Sequence, residues 1–250
     1  MRTAMVPGML NMLAYNLNRG SNDLRLFEAG NVFQAAGEKT VEFKRICMGA
    51  TGGASKASVH QAARTMSFFD IKGDVELLLA PFQLGGIEYK AEAAEYYHPG
   101  RSACAEMNGE VVAQFGQIHP EIAAGRKLKQ DIFVAEIHLD RLYRHGLRAV
   151  RYEALPRYPA VERDFSFIFD DSVAFTKLDK AVAGLGLGEL RRFVPVEIFR
   201  GGSIPAGKYS LLLRATFQSG ERTLREDEVG RWSGEIVKAL ESLGGMLRSS

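Results

Sequence analysis

The residues best suited to chemistry in this chain are cations of its last third: Arg163, Arg191, Arg192, Arg200, Lys208, Arg214, Arg222 and Arg225. Guanidinium and ammonium groups suit phosphodiester oxygens, so a local patch of them would suit a nucleic-acid backbone. The loop Arg200-Gly201-Gly202-Ser203-Ile204-Pro205-Ala206-Gly207-Lys208 has the glycine amides and flanking charges to touch such a backbone. It lacks the Gly-Lys-Ser/Thr spacing of a nucleoside-triphosphate loop, and otherwise reads as a hairpin connection. Ser203 lacks the strand-turn-helix elbow of a nucleophile. His98 and His119 each precede a proline and stand in no His-x-x-x-His or His/Cys/Asp cluster, so no metal site is expected. Asp70 and Asp74 would share one side of a helix with Glu76 well around from them, a solvated or N-terminal face that complements the helix dipole. Cys47 and Cys104 sit in strand-like contexts without metal-ligand spacing and read as small buried hydrophobes of a reducing, cytoplasmic compartment.

Composition narrows the class. The 250 residues are 46% hydrophobic and 25% charged, enough for one large or two modest globular domains. No stretch approaches the ~20 apolar residues of a membrane span, and the N-terminus lacks a signal-peptide apolar run, so no membrane partner is expected. Net charge is +2 and evenly spread: residues 156–250 hold 14 Lys and Arg against 13 Asp and Glu. Any nucleic-acid surface must therefore be local.

Periodicity supplies the elements that would position these groups. Pro7 to Arg19 reads as a helix with Met9, Met12, Leu13 and Leu17 near one stripe and Gly20 as its stop. Strands are expected at Leu24–Phe33 and Phe43–Ala50, and a helix at Asp70–Leu79. A hairpin is expected around Asn108-Gly109, then a short helix opened by His119-Pro120-Glu121. A further strand covers Asp131–Leu139, with Phe133, Ala135 and Ile137 alternating against Val134, Glu136 and His138. Arg148 to Pro159 reads as an interdomain linker. Beyond it, Arg163–Phe169 is a strand with Phe165, Phe167 and Phe169 on one core-facing side. Thr176 caps a helix ended by Gly184 or Gly186. Strands follow at Arg192–Phe199, where Pro195 marks an edge or a bulge, and at Lys208–Phe217. Thr223 with Glu226 reads as a capping box opening a helix to about Leu243, on which Val229, Trp232, Ile236, Leu240 and Leu243 repeat. Met246-Leu247-Arg248 closes as a strand. The order βαββαβ is that of a ferredoxin-like module. The whole chain thus reads as α+β, with domains at 1–150 and 156–250.

Eight strings in one order resemble a known family. They are Met1-Arg2-Thr3 with Pro7-Gly8-Met9-Leu10; Asn16-Leu17-Asn18-Arg19-Gly20; Leu24-Arg25-Leu26-Phe27-Glu28-Ala29-Gly30; Phe69-Asp70-Ile71-Lys72-Gly73-Asp74-Val75-Glu76; His98-Pro99-Gly100-Arg101-Ser102-Ala103; Phe115-Gly116-Gln117-Ile118-His119-Pro120; Pro159–Phe169; and Arg222-Thr223-Leu224. Together they resemble the C-terminal part of the bacterial phenylalanine–tRNA ligase beta subunit. The resemblance implies an incomplete, non-catalytic class II synthetase-like antiparallel sheet domain, followed by a ferredoxin-fold anticodon-binding domain. It implies that the eight cations serve tRNA binding, and that the partners are phenylalanine tRNA and an alpha subunit, two of each subunit in the complete enzyme. It also implies that ATP and magnesium act in the complete enzyme, with none bound by this chain. The family's beta subunit is longer, so the chain is expected to be a C-terminal piece whose first domain leaves apolar surface uncovered and is poorly stable alone.

Catalysis by this chain is not expected. Class II synthetases grip ATP with an Arg and a Glu two apart on one strand, and with a glycine-rich strand ending in Arg. Here Arg25 and Glu28 are three apart, which on a strand sends them to opposite faces, and Gly100-Arg101 is a lone pair. One alternative is a stand-alone RNA-binding module from a truncated gene. Another is a small ferredoxin-like enzyme of the acylphosphatase type, opposed by Asp170-Asp171-Ser172 at the turn that would have to cradle an anion.

Overall fold

The computed structural model describes residues 1–150, 152 and 154–248. Of the expected linker at Arg148–Pro159, Arg151 and Glu153 lie outside the described residues. The chain divides into two compact units, Met1–Val150 and Arg151–Ser250.

The first unit is a six-stranded antiparallel sheet with a helix on each face. Helix α1 spans Val6–Leu17, followed by β1 (Leu24–Ala36), β2 (Lys39–Thr51), β3 (Gly53–Ser55), β4 (Arg64–Thr65), α2 (Phe68–Leu79), β5 (Glu88–Lys90), β6 (Tyr97–Met107), β7 (Glu110–Ile118), α3 (Pro120–Gly125), β8 (Ile132–His138) and α4 (Leu139–Leu142). The sheet order is β1-β2-β8-β7-β6-β5, with β3 and β4 forming a separate small hairpin. Alternation along β8 divides the core: Phe133, Ala135 and Ile137 join Ile71, Val75 and Leu79 of α2, while Ile132 and Val134 join Met9, Leu10 and Leu13 of α1. Both faces are therefore buried. Gly49 permits the close seat of α1, since a Cβ there would lie 2.5 Å from Met9 Cγ. The turn between β6 and β7 uses Asn108 (φ 51°) and Gly109 (φ 78°), both left-handed, as a two-residue hairpin of this kind requires.

One expectation about a helix face needs correction. On α1 the buried stripe is Val6, Met9, Leu10 and Leu13, and Met12 is half-exposed. A 100° step places residues 6, 9, 10 and 13 together, and Met12 falls outside that arc. Asp70 is the third residue of α2, where its carboxylate accepts from the Ser67 N–H and hydroxyl (both 2.8 Å) and pairs with Arg64 (2.7 Å). It is a capping group, held well below the usual carboxylate range first by the Arg64 hydrogen bonds.

The second unit runs β9 (Val161–Asp170), α5 (Phe175–Ala183), β10 (Leu190–Phe199), β11 (Lys208–Phe217), α6 (Glu226–Ser242) and β12 (Met246–Leu247). Its sheet order, β10-β11-β9-β12 with antiparallel neighbours, is that of the ferredoxin-like βαββαβ fold. Phe165, Phe167 and Phe169 of β9 and Tyr209, Leu211, Leu213, Ala215 and Phe217 of β11 face Leu178 and Val182 of α5 and Val229, Trp232, Ile236 and Leu240 of α6. The other sheet face carries no helix of this unit.

Neither helix of this unit starts as the local sequence suggests. Thr176 lies inside α5, whose N-cap is Ala174 without a side-chain bond. Helix α6 begins at Glu226 with Arg225 as N-cap, so Thr223 lies outside the first turn. The Glu228 carboxylate accepts from the Arg225 N–H at 3.1 Å, making half a capping box, while a guanidinium cannot accept the reciprocal bond. Glu226 is occupied elsewhere: both its carboxylate oxygens accept from Arg163 Nη2 on β9.

Candidate nucleic-acid interface

The exposed side of the β10-β11-β9-β12 sheet is set by parity. On β9 it holds Glu162, Asp164, Ser166, Ile168 and Asp170, and on β11 Lys208, Ser210, Leu212, Arg214 and Thr216, the residues that alternate with the buried set. On β10 the register shifts between Pro195 and Glu197: Pro195 pairs with buried Leu213, whereas Glu197 pairs with Leu212. This bulge flips the alternation. Phe199, which unbroken alternation would put beside Phe193 against the helices, is instead opposite Ser210 on the exposed side and half-exposed. Ser210 pairs with Ile168, and Ile168 with Met246, so one row crosses all four strands as Phe199, Ser210, Ile168 and Met246. Arg248 N–H donates to the Ser166 carbonyl (2.8 Å), and its guanidinium donates to Ser210 Oγ (3.4 Å). The result is a half-apolar platform with an aromatic ring at one edge and the Arg248 guanidinium bonded to Ser210, which is itself buried. It suits a flat base with polar edges.

The eight cations are not gathered on this platform, and six of them face carboxylates. Arg214 grips Asp164 with Nε and Nη2, both at 2.7 Å, and reaches Glu162 at 3.1 Å; these acids push its guanidinium pKa up, and the Asp164 carboxyl is held below its ordinary value by the same hydrogen bonds. Arg222 grips Glu228 with two bonds of 2.7 Å. With the Arg225 N–H, this draws the Glu228 carboxyl down to about 2. Arg225 lies 3.1 Å from Asp227, and Lys208 lies 3.8 Å from Asp170. Arg200 pairs with Asp171 and stacks over the Tyr209 ring, 5.1 Å from its centroid. Arg163 is held by Glu226. Arg191 donates through Nε to the Gln218 carbonyl (2.9 Å), and Arg192, opposite Thr216 on the exposed side, has no hydrogen bond or ion pair among the described residues. A carboxylate-bound guanidinium must exchange partners to reach a phosphate, so these pairs weaken the cations' individual claims as phosphate ligands.

Phe199 and Arg248 escape sequence reading. The only local signal for Phe199 is the bulge at Pro195, and Arg248 needs the register of β12.

The Arg25–Glu28 pair in the first unit does not form a nucleotide grip. Arg25 lies 3.8 Å from Asp74 of α2, whereas Glu28, on the opposite side of β1, pairs with Arg2 at 2.7 Å. The two side chains point away from each other and each has a partner, so these residues do not fit an ATP site. The buried charges of this unit act structurally: Glu136 accepts from the Met5 N–H (3.3 Å) at the start of α1, beside Arg45, which also pairs with Asp140. Burial raises the Glu136 carboxyl and the Cys47 thiol. Among the described residues, no group of three His, Cys, Asp or Glu could hold a metal ion, and no helix is long and apolar enough to cross a membrane.

Comparison with known proteins bears on both units. The family model "Phenylalanyl tRNA synthetase beta chain CLM domain" matches residues 1–139, and "Ferredoxin-fold anticodon binding domain" matches residues 156–248. The chain is similar to phenylalanine–tRNA ligase beta subunits from Syntrophotalea carbinolica (30% identical, 99% of this chain, 31% of that protein), Halalkalibacterium halodurans (33%, 99% and 31%) and Bacillus subtilis (31%, 96% and 30%). It thus spans about three tenths of the length of these curated relatives. A pyrrolysyl tRNA synthetase structure from Desulfitobacterium hafniense overlays with a TM-score of 0.43 at 12% identity, over 57% of this chain and 49% of that one, too loosely to bear on the fold. With the first model matching more than half of its residues, the chain belongs to the phenylalanyl tRNA synthetase beta chain family.

Proposed function

We propose that this chain supplies the anticodon-binding and alpha-subunit-docking portion of a phenylalanine–tRNA ligase beta subunit. Residues 1–150 act as a non-catalytic domain and residues 156–250 as the RNA-binding one. The observation that carries this reading is the anticodon-binding family match over residues 156–248, on a fold whose helix-free sheet side bears the Phe199–Met246 row. An unpaired anticodon base stacks on Phe199, its edges meet the exposed Arg248, and the eight cations contribute through their field and by exchanging carboxylate for phosphate. The first unit docks the alpha subunit. Phe27 on edge strand β1, and Phe69 and Leu77 on α2, each about three-quarters exposed, offer apolar surface for it. The alpha subunit then joins phenylalanine to the tRNA using ATP and magnesium, in a cytoplasmic assembly of two alpha and two beta subunits. This chain contributes position to that reaction.

The test is co-expression with a bacterial phenylalanine–tRNA ligase alpha subunit, followed by titration with phenylalanine tRNA and with the same tRNA carrying an altered anticodon. Co-purification, with tighter binding of the natural anticodon, is expected. Equal affinity for both RNAs would refute the anticodon assignment, and failure to capture the alpha subunit would refute the docking assignment.

A further inference from the structure

The positive charge of the second unit is unevenly neutralised. Arg163, Arg200, Lys208, Arg214, Arg222 and Arg225 all face carboxylates, whereas Arg191 and Arg192 begin edge strand β10 without one. A third unpaired guanidinium belongs with them. Arg157 is exposed, has no hydrogen bond or ion pair among the described residues, and shares with Arg191 a cavity of about 590 Å³. The remaining walls are Ala154, Leu155, Pro156, Gln218, Ser219 and Gly220, so the two arginines are its only charged residues among the described ones.

Gln218 organises the cavity from both sides. Its carbonyl accepts from Arg191 Nε (2.9 Å), which fixes the guanidinium plane and leaves both terminal nitrogens free. Its side-chain amide donates to the Tyr158 carbonyl (2.7 Å), fastening the segment that carries Arg157. Ser219, nearly buried, accepts from the Glu221 N–H (3.2 Å) and shapes the Gly220 turn. Arg191 also lines an adjoining cavity of about 260 Å³ with Arg192 and Asp179, the one carboxylate among its described lining residues. Two guanidiniums lining one cavity, one oriented by a backbone carbonyl, suit the tetrahedral oxygens of a phosphodiester.

We infer that Arg157 and Arg191 form a phosphodiester subsite at the outer edge of β10, with Arg192 on the adjoining wall. This rests on the RNA-binding reading above and extends it. The subsite grips the backbone irrespective of sequence, apart from the Phe199 platform. It adds Arg157, which precedes the first strand, and gives Gln218 a positioning role.

The test is fluorescence anisotropy of the full chain with phenylalanine tRNA, and with an RNA stem-loop of unrelated loop sequence, across a salt series. The double variant Arg157→Gln/Arg191→Gln is expected to lower the slope of log K against log salt by about two and to weaken both RNAs alike, roughly ten-fold near 0.1 M salt. Arg157→Lys/Arg191→Lys should keep the slope, and Lys238→Gln, an exposed and unpaired cation on α6, should leave it unchanged. An unaltered slope in the glutamine variant, or no binding of either RNA by the parent chain, would overturn the subsite. Loss of anticodon discrimination in the parent chain, with the slope change retained, would overturn the anticodon reading and uphold the subsite.

Discussion

The two sheets of this molecule bury their residues differently. The six-stranded sheet is covered by α1 on one face and α2 on the other, so β8 is buried along almost its whole length on both sides. The four-stranded sheet places both α5 and α6 on one face and leaves the other with Phe199, Ser210, Ile168 and Met246 in a row. A sheet covered twice has no surface left to read a ligand, and its charges become internal fasteners, as with Arg45 between Glu136 and Asp140. A sheet covered once keeps a binding platform, and its whole stability must come from the covered side.

The largest test of that contrast is in the single core of the second unit. Phe167 is fully buried and stacks on Phe169 at 5.6 Å, so Phe167→Ala should destabilise this unit by about 3–5 kcal/mol. Phe27→Ala, at a site three-quarters exposed, should change the first unit by less than about 0.5 kcal/mol. Trp232, the chain's only tryptophan, stacks on Phe217 in the second core, so its fluorescence in a urea titration follows that unit alone. If Phe167→Ala shifts the tryptophan midpoint no further than Phe27→Ala does, the second unit does not depend on its one covered face.

The doubly covered sheet has an acid weakness in a buried imidazole. His138, at the end of β8, has its Nδ1 buried without a partner; burial first, then Arg45 and Arg141, draw its pKa down to about 3, against a smaller opposing pull from Asp140. The folded state keeps the ring neutral, while the unfolded chain protonates it below about 6.5. Stability is therefore lost as pH falls from about 6.5 toward 3, on the order of 3 kcal/mol by pH 4. Glu136 on the same strand works oppositely, since its raised carboxyl is protonated first in the folded state. The difference between wild type and His138→Leu in urea titrations at pH 7 and pH 4, followed by far-ultraviolet circular dichroism, isolates the imidazole. Parallel losses in both proteins would remove it as the cause.

The open sheet should respond in binding more than in stability. Phe199→Ala should weaken phenylalanine tRNA by about 1–3 kcal/mol, the range for one base on one ring, and leave the tryptophan midpoint nearly unmoved. Arg214→Gln should cost less, because Asp164 and Glu162 already hold that guanidinium. Reversal of this order, measured by anisotropy at fixed salt, would mean that charge outweighs the platform.

Legibility in the sequence followed the range of the interactions. Alternation along β8 and β11 and the Asn108-Gly109 turn are local, and they show in residue order alone. So does the separation of Arg25 from Glu28, which follows from strand parity. Met12 was misplaced on α1 by one position around the helix. Phe199 was hidden because a single bulge near Pro195 reverses everything after it on β10. Arg163 and Arg214 read as free because their carboxylates are distant in the chain: Asp164 lies 50 residues before Arg214, and Glu226 lies 63 after Arg163. Charge counting registers such residues but cannot pair them.

The smallest test concerns the start of α6, where local pattern and tertiary structure give different answers. Thr223 and Glu226 have the spacing of a capping box, yet Arg163 on β9 holds Glu226, and the helix opens two residues later with Glu228 bonded to the Arg225 N–H and to Arg222. The helix start coincides with this long-range ion pair. Thr223→Ala should then change stability by only a few tenths of a kcal/mol, whereas Glu228→Gln, which weakens the cap and its charge at the positive end of the helix, should cost measurably more. The Glu228 contribution should fade as pH drops through its depressed value of about 2, because a carboxyl held below its unfolded range stabilises only while ionised. A Thr223→Ala loss as large as that of Glu228→Gln would place the start of α6 back at the local signal.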